Sequence, residues 1–502
     1  MPRKYLFASA YRYFIMTLTA PVGARSEETC MNTSPGILKP IDPFTLEAAG
    51  EYPLLDFPGL QAVVNRARTA AAAWRQVSVA QRVEWFRAGL QWFEANRAAI
   101  AMDITRQMGK PIKQSENELK GFFERAEWLA DAAESALAPE ILPSKAGFVR
   151  RIEHAPLGVV LIIAPWNYPL LTAVNGVAAA LLAGNAVILK HSSLTPAVGE
   201  HFAKAFGSMG AGGLLENVLQ AVVSSHGAIG KAIENCDIDH VVFTGSVEGG
   251  LSVQRSLANR SGVANRFIDC ALELGGKDGA YVAADADLEK AAADLVDGAM
   301  YNAGQSCCGI ERVYVHKDRY RDFLDKCAEL ASAYVLGDPR QHATTMGPLA
   351  TAKSAEAMLN QVEAARAKGA MVVAGGRARK VGMGTFFEPT LITNADHRMD
   401  LMREENFGPI LPVVPVRDDE EAVRLVNDSP YGLTSAIYTR DQERAERFAA
   451  MADTGTVFMN RCDYLDPALP WTGVRDSGRG TSLSKYGFYA MTRRKSIHFR
   501  LG

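Results

Sequence analysis

The sequence predicts an α/β protein in which parallel sheets are covered by helices on both faces. Short runs rich in Val, Ile and Leu alternate with Ala-rich helical stretches in two successive series. Nearly continuous apolar strands separated by helices are typical of parallel sheets with both faces buried, and such sheets bind ligands at the carboxyl ends of their strands. The first series of strand candidates is Val159–Ile163, Ala186–Leu189, Val218–Val223 and Val241–Phe243; the second is Arg312–His316, Met371–Ala374, Ile410–Val416 and Thr434–Tyr438.

A helical region precedes the first series and runs from Pro58 to Ser135. Inside it, Gly109 is followed two residues later by Pro111, a combination that ends helices. Later helices are predicted at Arg319–Ser332 and Thr351–Lys368. Two further pairs have the spacing of a capping box, Ser78 with Gln81 and Ser115 with Glu118.

Length and composition exclude several classes of protein. A chain of 502 residues is too long for one core and predicts roughly two or three domains. The hydrophobic share of 48% and the charged share of 22% are ordinary for a globular protein. The net charge is −2 without a basic run, which argues against a nucleic-acid partner. The longest uninterrupted apolar run, Leu157 to Ala164, is far shorter than the roughly 20 residues that span a bilayer, so no membrane partner is expected.

The number of cysteines and the composition of the N-terminal residues indicate the cellular compartment in which the protein is expected. Seven cysteines in a large chain do not form a disulfide framework, so a reducing compartment is expected, namely the cytoplasm. Residues 1–26 carry basic residues and no acid, a composition compatible with an organellar transit peptide. They are equally compatible with a start codon placed too early, because Met16 or Met31 could begin the working chain. Residues 1–35 are therefore predicted to be an extension outside the fold, disordered or removed.

Two residues in short glycine-containing segments have the types needed for covalent chemistry. Cys307 lies in the stretch Asn-Ala-Gly-Gln-Ser-Cys-Cys, 34 positions after Glu273 in Leu-Glu-Leu-Gly-Gly-Lys. A thiolate can form a covalent intermediate, and a carboxylate nearby in space can act as its base. Taken singly, a cysteine is more often a small buried hydrophobe and a glutamate a solvated charge.

These two motifs, at this spacing, resemble those of the aldehyde dehydrogenase superfamily, and the resemblance extends from about Pro40 to the C-terminus. Further motifs in matching order are Pro165–Pro169, Phe243–Ser246, Glu404–Pro409 and Ser477-Gly478. The resemblance implies the aldehyde dehydrogenase fold, with a Rossmann-like cofactor domain, an α/β catalytic domain and a small β extension for oligomerisation. The implied cofactor domain comprises residues 36–140 and 156–271, the catalytic domain 272–455, the oligomerisation strands 141–155 and 480–502, and a substrate-mouth loop returning to the cofactor domain 456–479.

The resemblance also implies the reaction and its catalytic residues. An aldehyde is oxidised to a carboxylic acid with NAD(P)⁺ through a thiohemiacetal and a thioester on Cys307. Asn167, together with the backbone N–H of Cys307, would stabilise the oxyanion, and Glu273 would activate the water that hydrolyses the thioester. Relatives that pass the acyl group to coenzyme A lack a glutamate at that position. Cys308 is expected to be a bystander.

The cofactor residues follow from the same resemblance, with NADP or NAD as cofactor and no metal. The expected set is Trp166, Lys190, Ser193, Gly245, Ser246, Gly250, Leu274, Glu405 and Phe407. NAD-preferring relatives carry Lys-Pro-x-Glu, whereas this chain has His191 in place of the proline and Ser193 in place of the glutamate. Ser193 would not repel a 2′-phosphate, so use of both cofactors is expected. His191 is expected to be a partly exposed loop residue, with contact to the 2′-phosphate as the alternative.

The expected substrate is a small aldehyde, whether aliphatic, aromatic or acidic. Relatives that oxidise semialdehydes of carboxylic acids carry an arginine eight residues after the oxyanion asparagine, where this chain has Asn175. Arg461, Asp463 and Leu465 lie in a segment that resembles the substrate mouth, and Arg461 would either bind an acid or pair with Asp463. A semialdehyde such as succinate semialdehyde is therefore the alternative substrate.

The alternatives to a dehydrogenase are a cysteine acyl hydrolase and a non-catalytic protein on the same fold. Glu405, Phe407 and the Phe243–Ser246 loop argue against the hydrolase, and the presence of Cys307 and Glu273 argues against loss of chemistry. The segments Arg151–His154 and Thr492–Arg500 are expected to be strands exchanged between subunits of a homodimer or homotetramer, or else exposed edge strands.

Overall fold

Two mainly parallel sheets organise the chain, which a computed structural model describes for residues 36–207, 216–264 and 266–501. The predicted N-terminal extension, residues 1–35, lies outside the described residues. The helices are α1 Phe57–Trp74, α2 Val79–Ala95, α3 Arg97–Met108, α4 Ile112–Leu137, α5 Pro169–Ala183, α6 Pro196–Phe206, α7 His226–Asn235, α8 Val247–Ala258, α9 Leu288–Met300, α10 Tyr320–Ser332, α11 Ala352–Ala367, α12 Asp419–Asn427, α13 Gln442–Met451 and α14 Ser484–Ala490.

The strands are short, as expected for buried parallel sheets. They are β1 Ile37–Leu38, β2 Tyr52–Pro53, β3 Glu140–Ile141, β4 Phe148–Pro156, β5 Val159–Ala164, β6 Ala186–His191, β7 Leu219–Val222, β8 His240–Thr244, β9 Asp269–Glu273, β10 Asp278–Val282, β11 Ile310–His316, β12 Met371–Ala374, β13 Ala378–Val381, β14 Gly384–Phe387, β15 Thr390–Thr393, β16 Ile410–Val416, β17 Thr434–Tyr438, β18 Thr456–Met459, β19 Gly478–Arg479 and β20 Thr492–Arg500. The eight predicted strands are all present, with ends that differ by at most two residues.

The first sheet has the strand order β19-β9-β8-β5-β6-β7, and only β19 is antiparallel to its neighbour. Its two faces pack against different helices. Val160 and Ile162 belong to the core shared with α2 to α6, whereas Val159 and Leu161 belong to the core shared with α1 and α7. Successive side chains of a strand point to opposite faces, so this alternation is the physical reason for the unbroken apolar run.

The second sheet has the order β12-β15-β16-β11-β10-β17-β18, with β12 antiparallel. Its core is separate from those of the first sheet and includes helices α9 to α13. The chain crosses between the sheets after β9, which ends at Glu273, and returns between β18 and β19. The ends of the two sheets therefore meet where the catalytic motifs lie.

A third, antiparallel sheet stands apart from both cores. Strand β4 pairs along its whole length with β20, from Pro156 opposite Thr492 to Phe148 opposite Arg500. The residues of β4 are half-buried and most of those of β20 are exposed.

The described residues include no helix that is long and apolar enough to cross a membrane.

Helix ends confirm one predicted capping box and correct the other. Ser78 and Gln81 form a complete box at the start of α2, and Gly109 ends α3 with a φ of 84°. The second prediction is wrong, because Ser115 and Glu118 both lie inside α4, which begins at Ile112. Ser115 bonds instead to the hydroxyl of Thr105, and Glu118 forms a buried ion pair with Lys110.

Gly89 is a position where the packing of α2 on α6 can be tested. A Cβ at Gly89 would lie 2.2 Å from ring carbon Cε1 of Phe206, and that ring is fully buried and stacked on Phe86. We expect Gly89→Ala to destabilise the protein by about 1–2 kcal/mol, because overpacking outweighs the gain in helix propensity of about 1 kcal/mol. Gly227 in α7 faces open space, so Gly227→Ala is the matched control and is expected to be neutral or stabilising. Equal urea unfolding midpoints for the two variants would contradict this packing.

Candidate active site

The segment that carries Cys307 leaves α9 through an unusual backbone conformation. Asn302 and Ala303 have φ values of 53° and 55°, in the left-handed region that non-glycine residues rarely adopt. Side-chain hydrogen bonds hold this turn. The amide of Asn302 donates to the carbonyl of Gln305 at 3.1 Å, and the side-chain oxygen of Gln305 accepts from the backbone N–H of Ala350 at 2.9 Å.

Asn167 joins this segment to the first sheet. It lies between the end of β5 and the start of α5, and its side chain is buried. Its Nδ2 donates to the carbonyl oxygen of Gln305 at 3.2 Å, while its own carbonyl accepts from Asn302 at 3.1 Å. An amide nitrogen carries two N–H groups, so the second one remains for a substrate oxygen. The predicted oxyanion donor is thus brought to the Cys307 segment.

A buried ion pair fixes the start of α5, just after Asn167. Lys110 and Glu118 pair with fully buried side chains, and the Lys110 ammonium lies 3.9 Å from the ring centre of Tyr168. Glu118 also accepts from the backbone N–H of Leu170 at 2.8 Å and, more weakly, from that of Leu171 at 3.3 Å. Burial lowers the pKa of Lys110, and the Glu118 carboxylate opposes that shift. The loop that carries Asn167 is therefore anchored by charge as well as by packing.

Glu273 ends β9 at the edge between the two sheets. Its carboxylate accepts from the Thr244 hydroxyl at 3.3 Å, and its backbone carbonyl accepts from the N–H of Gly245 at 3.0 Å. Burial raises the pKa of Glu273, against the opposing effects of the Thr244 hydroxyl and of the Arg125 charge. A carboxyl group whose pKa is raised by burial is a better base near neutral pH than an exposed one.

Two glycines after Glu273 allow three chain segments to meet. A Cβ at Gly276 would lie 2.3 Å from the carbonyl oxygen of Cys307, and one at Gly275 would lie 2.7 Å from the carboxylate oxygens of Glu405. Neither position tolerates a larger residue without movement of the backbone or of a charged group. The Gly-Gly pair therefore brings together the segments of Glu273, Cys307 and Glu405.

The Glu405 segment presents an acid and an aromatic ring. The carboxylate of Glu405 accepts from the N–H of Gly276 at 2.9 Å, and burial, with a contribution from the negative Glu311, raises its pKa to about 8. The ring of Phe407 meets that of Trp166 edge to face, with centroids 5.6 Å apart. Two of the predicted cofactor residues, Trp166 and Phe407, are thus in contact, and Glu405 lies two residues before Phe407.

A second buried ion pair holds the Glu405 segment, and no role was assigned to it from the sequence. Lys277 pairs with Glu311 at 2.7 Å. Glu311 also accepts from the backbone N–H groups of Asn406 and Phe407, both at 2.8 Å. Lys277 ends the Leu-Glu-Leu-Gly-Gly-Lys motif, and Glu311 is an acid at the start of the apolar strand β11. A charge in such a strand was the signal available in the sequence.

The remaining cofactor residues lie around the first sheet. Ser246 caps α8 by accepting from the N–H of Gly249 at 3.2 Å, and Gly250 packs against Leu274, because a Cβ there would lie 2.8 Å from that side chain. Lys190 is buried within β6, and Ser193 follows the strand in a half-buried position. No described residue group has the composition of a metal site.

His191 differs from its prediction. It is the last residue of β6 and is 3% exposed, so it is not a partly exposed loop residue. Burial, with the nearby Lys190 charge, lowers its pKa to about 3. The side chain packs between Gly199 and Phe202 on the α6 side of the sheet. A neutral histidine in this place contributes no positive charge toward a phosphate.

The two adjacent cysteines have different surroundings. Cys307 is half-buried, whereas Cys308 is buried and donates to the Asp463 carboxylate at 3.0 Å. The neighbouring Cys307 sulfur, burial and Asp463 together raise the pKa of Cys308 well above its ordinary value. Burial also raises the pKa of Asp463 to about 7. Cys308 is therefore held as a thiol, while Cys307 is the more accessible sulfur.

Of the two alternatives for Arg461, binding an acid or pairing with Asp463, the structure does not have the pairing. The Arg461 guanidinium stacks on the ring of Tyr464, 3.4 Å from its centre, and Asp463 receives the Cys308 thiol instead. Leu465 is half-buried against the same core that Cys307 contacts.

Asn175 stands beside a cation that the sequence analysis missed. Asn175 is buried in α5, and its side-chain oxygen accepts from Nη1 of Arg125 at 3.3 Å. Arg125 follows Phe122 by three residues and precedes Leu129 by four on the buried side of α4. A charge at helical spacing among apolar residues was the signal that could have revealed it.

Comparisons with known proteins identify the family to which the chain is similar. The model of the aldehyde dehydrogenase family matches residues 31–497. The NADP(+) succinate-semialdehyde dehydrogenase of Deinococcus radiodurans is 34% identical over 96% of this chain and 97% of its own. The NAD(P)+ succinate semialdehyde dehydrogenase of Escherichia coli is 32% identical over 88% and 94%. The crystal structure of lactaldehyde dehydrogenase from Escherichia coli superposes with a TM-score of 0.86 at 29% identity, over 93% and 96%.

These matches confirm the predicted fold, the oxidation of an aldehyde and the use of NADP or NAD. The chain therefore belongs to the aldehyde dehydrogenase family.

Proposed function

We propose that this chain oxidises a carboxylated aldehyde of the succinate semialdehyde class, with water as the acyl acceptor and with NADP⁺ used at least as well as NAD⁺. The proposal for the substrate is supported by the similarity to two succinate-semialdehyde dehydrogenases. The mechanism is supported most by one observation: the segments of Cys307, Asn167 and Glu273 meet at Gln305 and Gly276. In the balanced reaction, aldehyde, water and oxidised cofactor give carboxylate, reduced cofactor and two protons.

The first step in this proposal is attack by the Cys307 thiolate on the aldehyde carbon, which converts the carbonyl into a tetrahedral adduct. The negative charge that develops on oxygen is stabilised by the second amide N–H of Asn167 and by the backbone N–H of Cys307. Asn167 is buried and already fixed by its bond to the Gln305 carbonyl, so it needs little reorganisation during the reaction.

The surroundings of the cofactor residues fit a dinucleotide. The N-terminus of α8 begins at Ser246 with Gly250 in its first turn, a place where backbone N–H groups can face a pyrophosphate. Glu405 and Phe407, with Trp166, would hold the nicotinamide ribose and ring. A bound nicotinamide would supply the hydride acceptor, so that the adduct held on Cys307 would become a thioester.

Glu273 would then take a proton from the water that attacks this thioester. Its buried position raises its pKa and suits that role, and the Thr244 hydroxyl donates to its carboxylate at 3.3 Å. Hydrolysis releases the acid and restores the Cys307 thiolate.

The same proposal includes an oligomer and the domain bounds of the family. The half-exposed ribbon of β4 and β20 is suited to pairing with a second subunit in a homodimer or homotetramer. The proposed units are residues 36–140 and 156–271 for the cofactor domain, 272–455 for the catalytic domain, 141–155 and 480–502 for oligomerisation, and 456–479 for the substrate mouth. Pairing of β19 with β9 supports the last of these.

Cys307 is tested against its neighbour. We expect Cys307→Ala to lose activity by more than about 10³-fold, because the covalent intermediate can no longer form. Cys308→Ala is the matched control and should keep most of the activity, since Cys308 is a buried thiol bonded to Asp463. The measurement is absorbance at 340 nm with succinate semialdehyde and NADP⁺. An active Cys307→Ala would rule out the assignment.

Cofactor choice is tested at Ser193, which is half-buried just after β6. A glutamate at this position would repel a 2′-phosphate and bond the free hydroxyl of NAD. We expect Ser193→Glu to shift the ratio of kcat/KM values toward NAD by about tenfold or more, since one charge-assisted bond contributes roughly 1.5–3 kcal/mol.

Ser193→Gln has the size of glutamate without its charge and serves as the control. It should shift the cofactor ratio much less than Ser193→Glu. If the unmodified enzyme does not use NADP⁺, or if Ser193→Glu and Ser193→Gln have equal cofactor ratios, residues other than Ser193 decide between the two cofactors.

A further inference from the structure

Arg125 is a buried cation whose guanidinium has no carboxylate within ion-pair distance in the described part of the chain. Its residue is 7% exposed, and none of the ion pairs in the described part of the chain includes it. A charge taken out of water costs several kcal/mol unless an opposite charge or a full set of hydrogen bonds compensates it. Such a charge in the interior of the protein requires an explanation.

Among the residues that the structure describes, one nitrogen of the guanidinium makes hydrogen bonds. Nη1 donates to the carbonyl of Leu171 at 2.9 Å and to the side-chain oxygen of Asn175 at 3.3 Å. No hydrogen bond among the described residues uses Nε or Nη2, and neither atom is sealed from solvent as an unpartnered buried donor. Nη1 therefore ties α4 to α5, while Nε and Nη2 make no hydrogen bond within the described part of the chain and keep slight contact with solvent.

The guanidinium lies close to the catalytic groups. It bonds to Leu171 and Asn175 on α5, the helix that follows the Asn167 loop, and the adjacent Glu124 accepts from the hydroxyl of Tyr464, next to Asp463, at 2.6 Å. The Arg125 charge also opposes the effect of burial, which raises the pKa values of Glu273 and Asp463. Glu273 is the proposed base and Asp463 touches Cys308, so the Arg125 charge acts on two groups of the candidate site. An anionic group that reached Arg125 would belong to a molecule in the active site.

A purely structural role accounts for only part of these observations. The two bonds from Nη1 could be made by a neutral amide at the same place, without the cost of a buried charge. Glu273 and Asp463 are not bonded to Arg125, and burial raises the pKa of each. Glu118 and Glu124, on the same helix, also favour the Arg125 charge, but neither forms an ion pair with it in the described part of the chain. The charge and the uncommitted Nε and Nη2 are left to a ligand.

We propose that Nε and Nη2 of Arg125 bind the distal carboxylate of the substrate, so that Arg125 selects carboxylated aldehydes over uncharged ones. Two parallel N–H groups of a guanidinium match the two oxygens of a carboxylate, and such bidentate pairs fix orientation as well as adding affinity. With the carboxylate held on α4, the aldehyde end extends toward Cys307. This inference rests on the proposed function for the substrate class but assigns a residue to it.

The test compares succinate semialdehyde with its methyl ester, methyl 4-oxobutanoate, which has nearly the same shape without the charge. Arg125→Gln keeps an amide that can bond to Leu171 and Asn175 but removes the cation. We expect the ratio of kcat/KM values, acid over ester, to fall about 10- to 100-fold, mainly through KM for the acid. The value for the ester should stay within about threefold of the unmodified enzyme.

Arg125→Lys is the conservative variant, because it retains a positive charge on the same helix. It should keep more of the acid preference than Arg125→Gln, and equal ratios in the two variants would contradict a role for the charge. Loss of activity on both substrates in parallel would indicate a structural role instead. Thermal unfolding midpoints and activity on the ester show whether each variant is folded.

Failure of this inference can be told apart from failure of the proposed function. An unmodified enzyme with no preference for the acid over the ester would overturn the proposed substrate class, and the assignment of Arg125 with it. An unmodified enzyme that prefers the acid, with the same preference in Arg125→Gln, would overturn the assignment of Arg125 alone.

Discussion

The carbonyl oxygen of Gln305 is the contact on which the arrangement of the site depends. It accepts from the side-chain amides of both Asn167 and Asn302, at 3.2 and 3.1 Å. One donor comes from the first sheet and the other from the turn before Cys307. All three residues are buried, so loss of any of these bonds would leave an unsatisfied polar group at a cost of about 1–3 kcal/mol. The proposed nucleophile and oxyanion donor are thus held to each other rather than to separate scaffolds.

Buried charges perform the same positioning elsewhere in the site. Ion pairs buried in proteins are weak sources of stability, because desolvation offsets much of their attraction. Here the acid of each pair has a further function. Glu118 accepts from the backbone at Leu170, next to the Asn167 loop, and Glu311 accepts from the backbone at Asn406, next to Glu405. Lys110 and Lys277 hold these acids in buried ion pairs, so each pair fixes a loop that a neutral core would leave loose.

Sequence patterns predicted what depends on local order, and they failed where tertiary contacts decide. The strands followed from apolar runs, and the positions of Cys307 and Glu273 from short motifs. The spacing of Ser115 and Glu118 is that of a capping box, but Glu118 is buried and forms an ion pair with Lys110 instead. Arg461 and Asp463 are close in sequence, yet Asp463 meets Cys308 from a distant segment. Arg125 was overlooked because the apolar stripe of a helix does not reveal which neighbouring helix it faces.

The division of chemistry between Cys307 and Glu273 is tested most directly by rapid mixing of Glu273→Gln with NADP⁺ and succinate semialdehyde. If Glu273 acts only after hydride transfer, absorbance at 340 nm should rise in a burst of about one reduced cofactor per active site. Turnover should then continue about 10²- to 10⁴-fold more slowly than in the unmodified enzyme, while the thioester accumulates on Cys307. A steady state as fast as that of the unmodified enzyme, or slow turnover without a burst, would contradict this division.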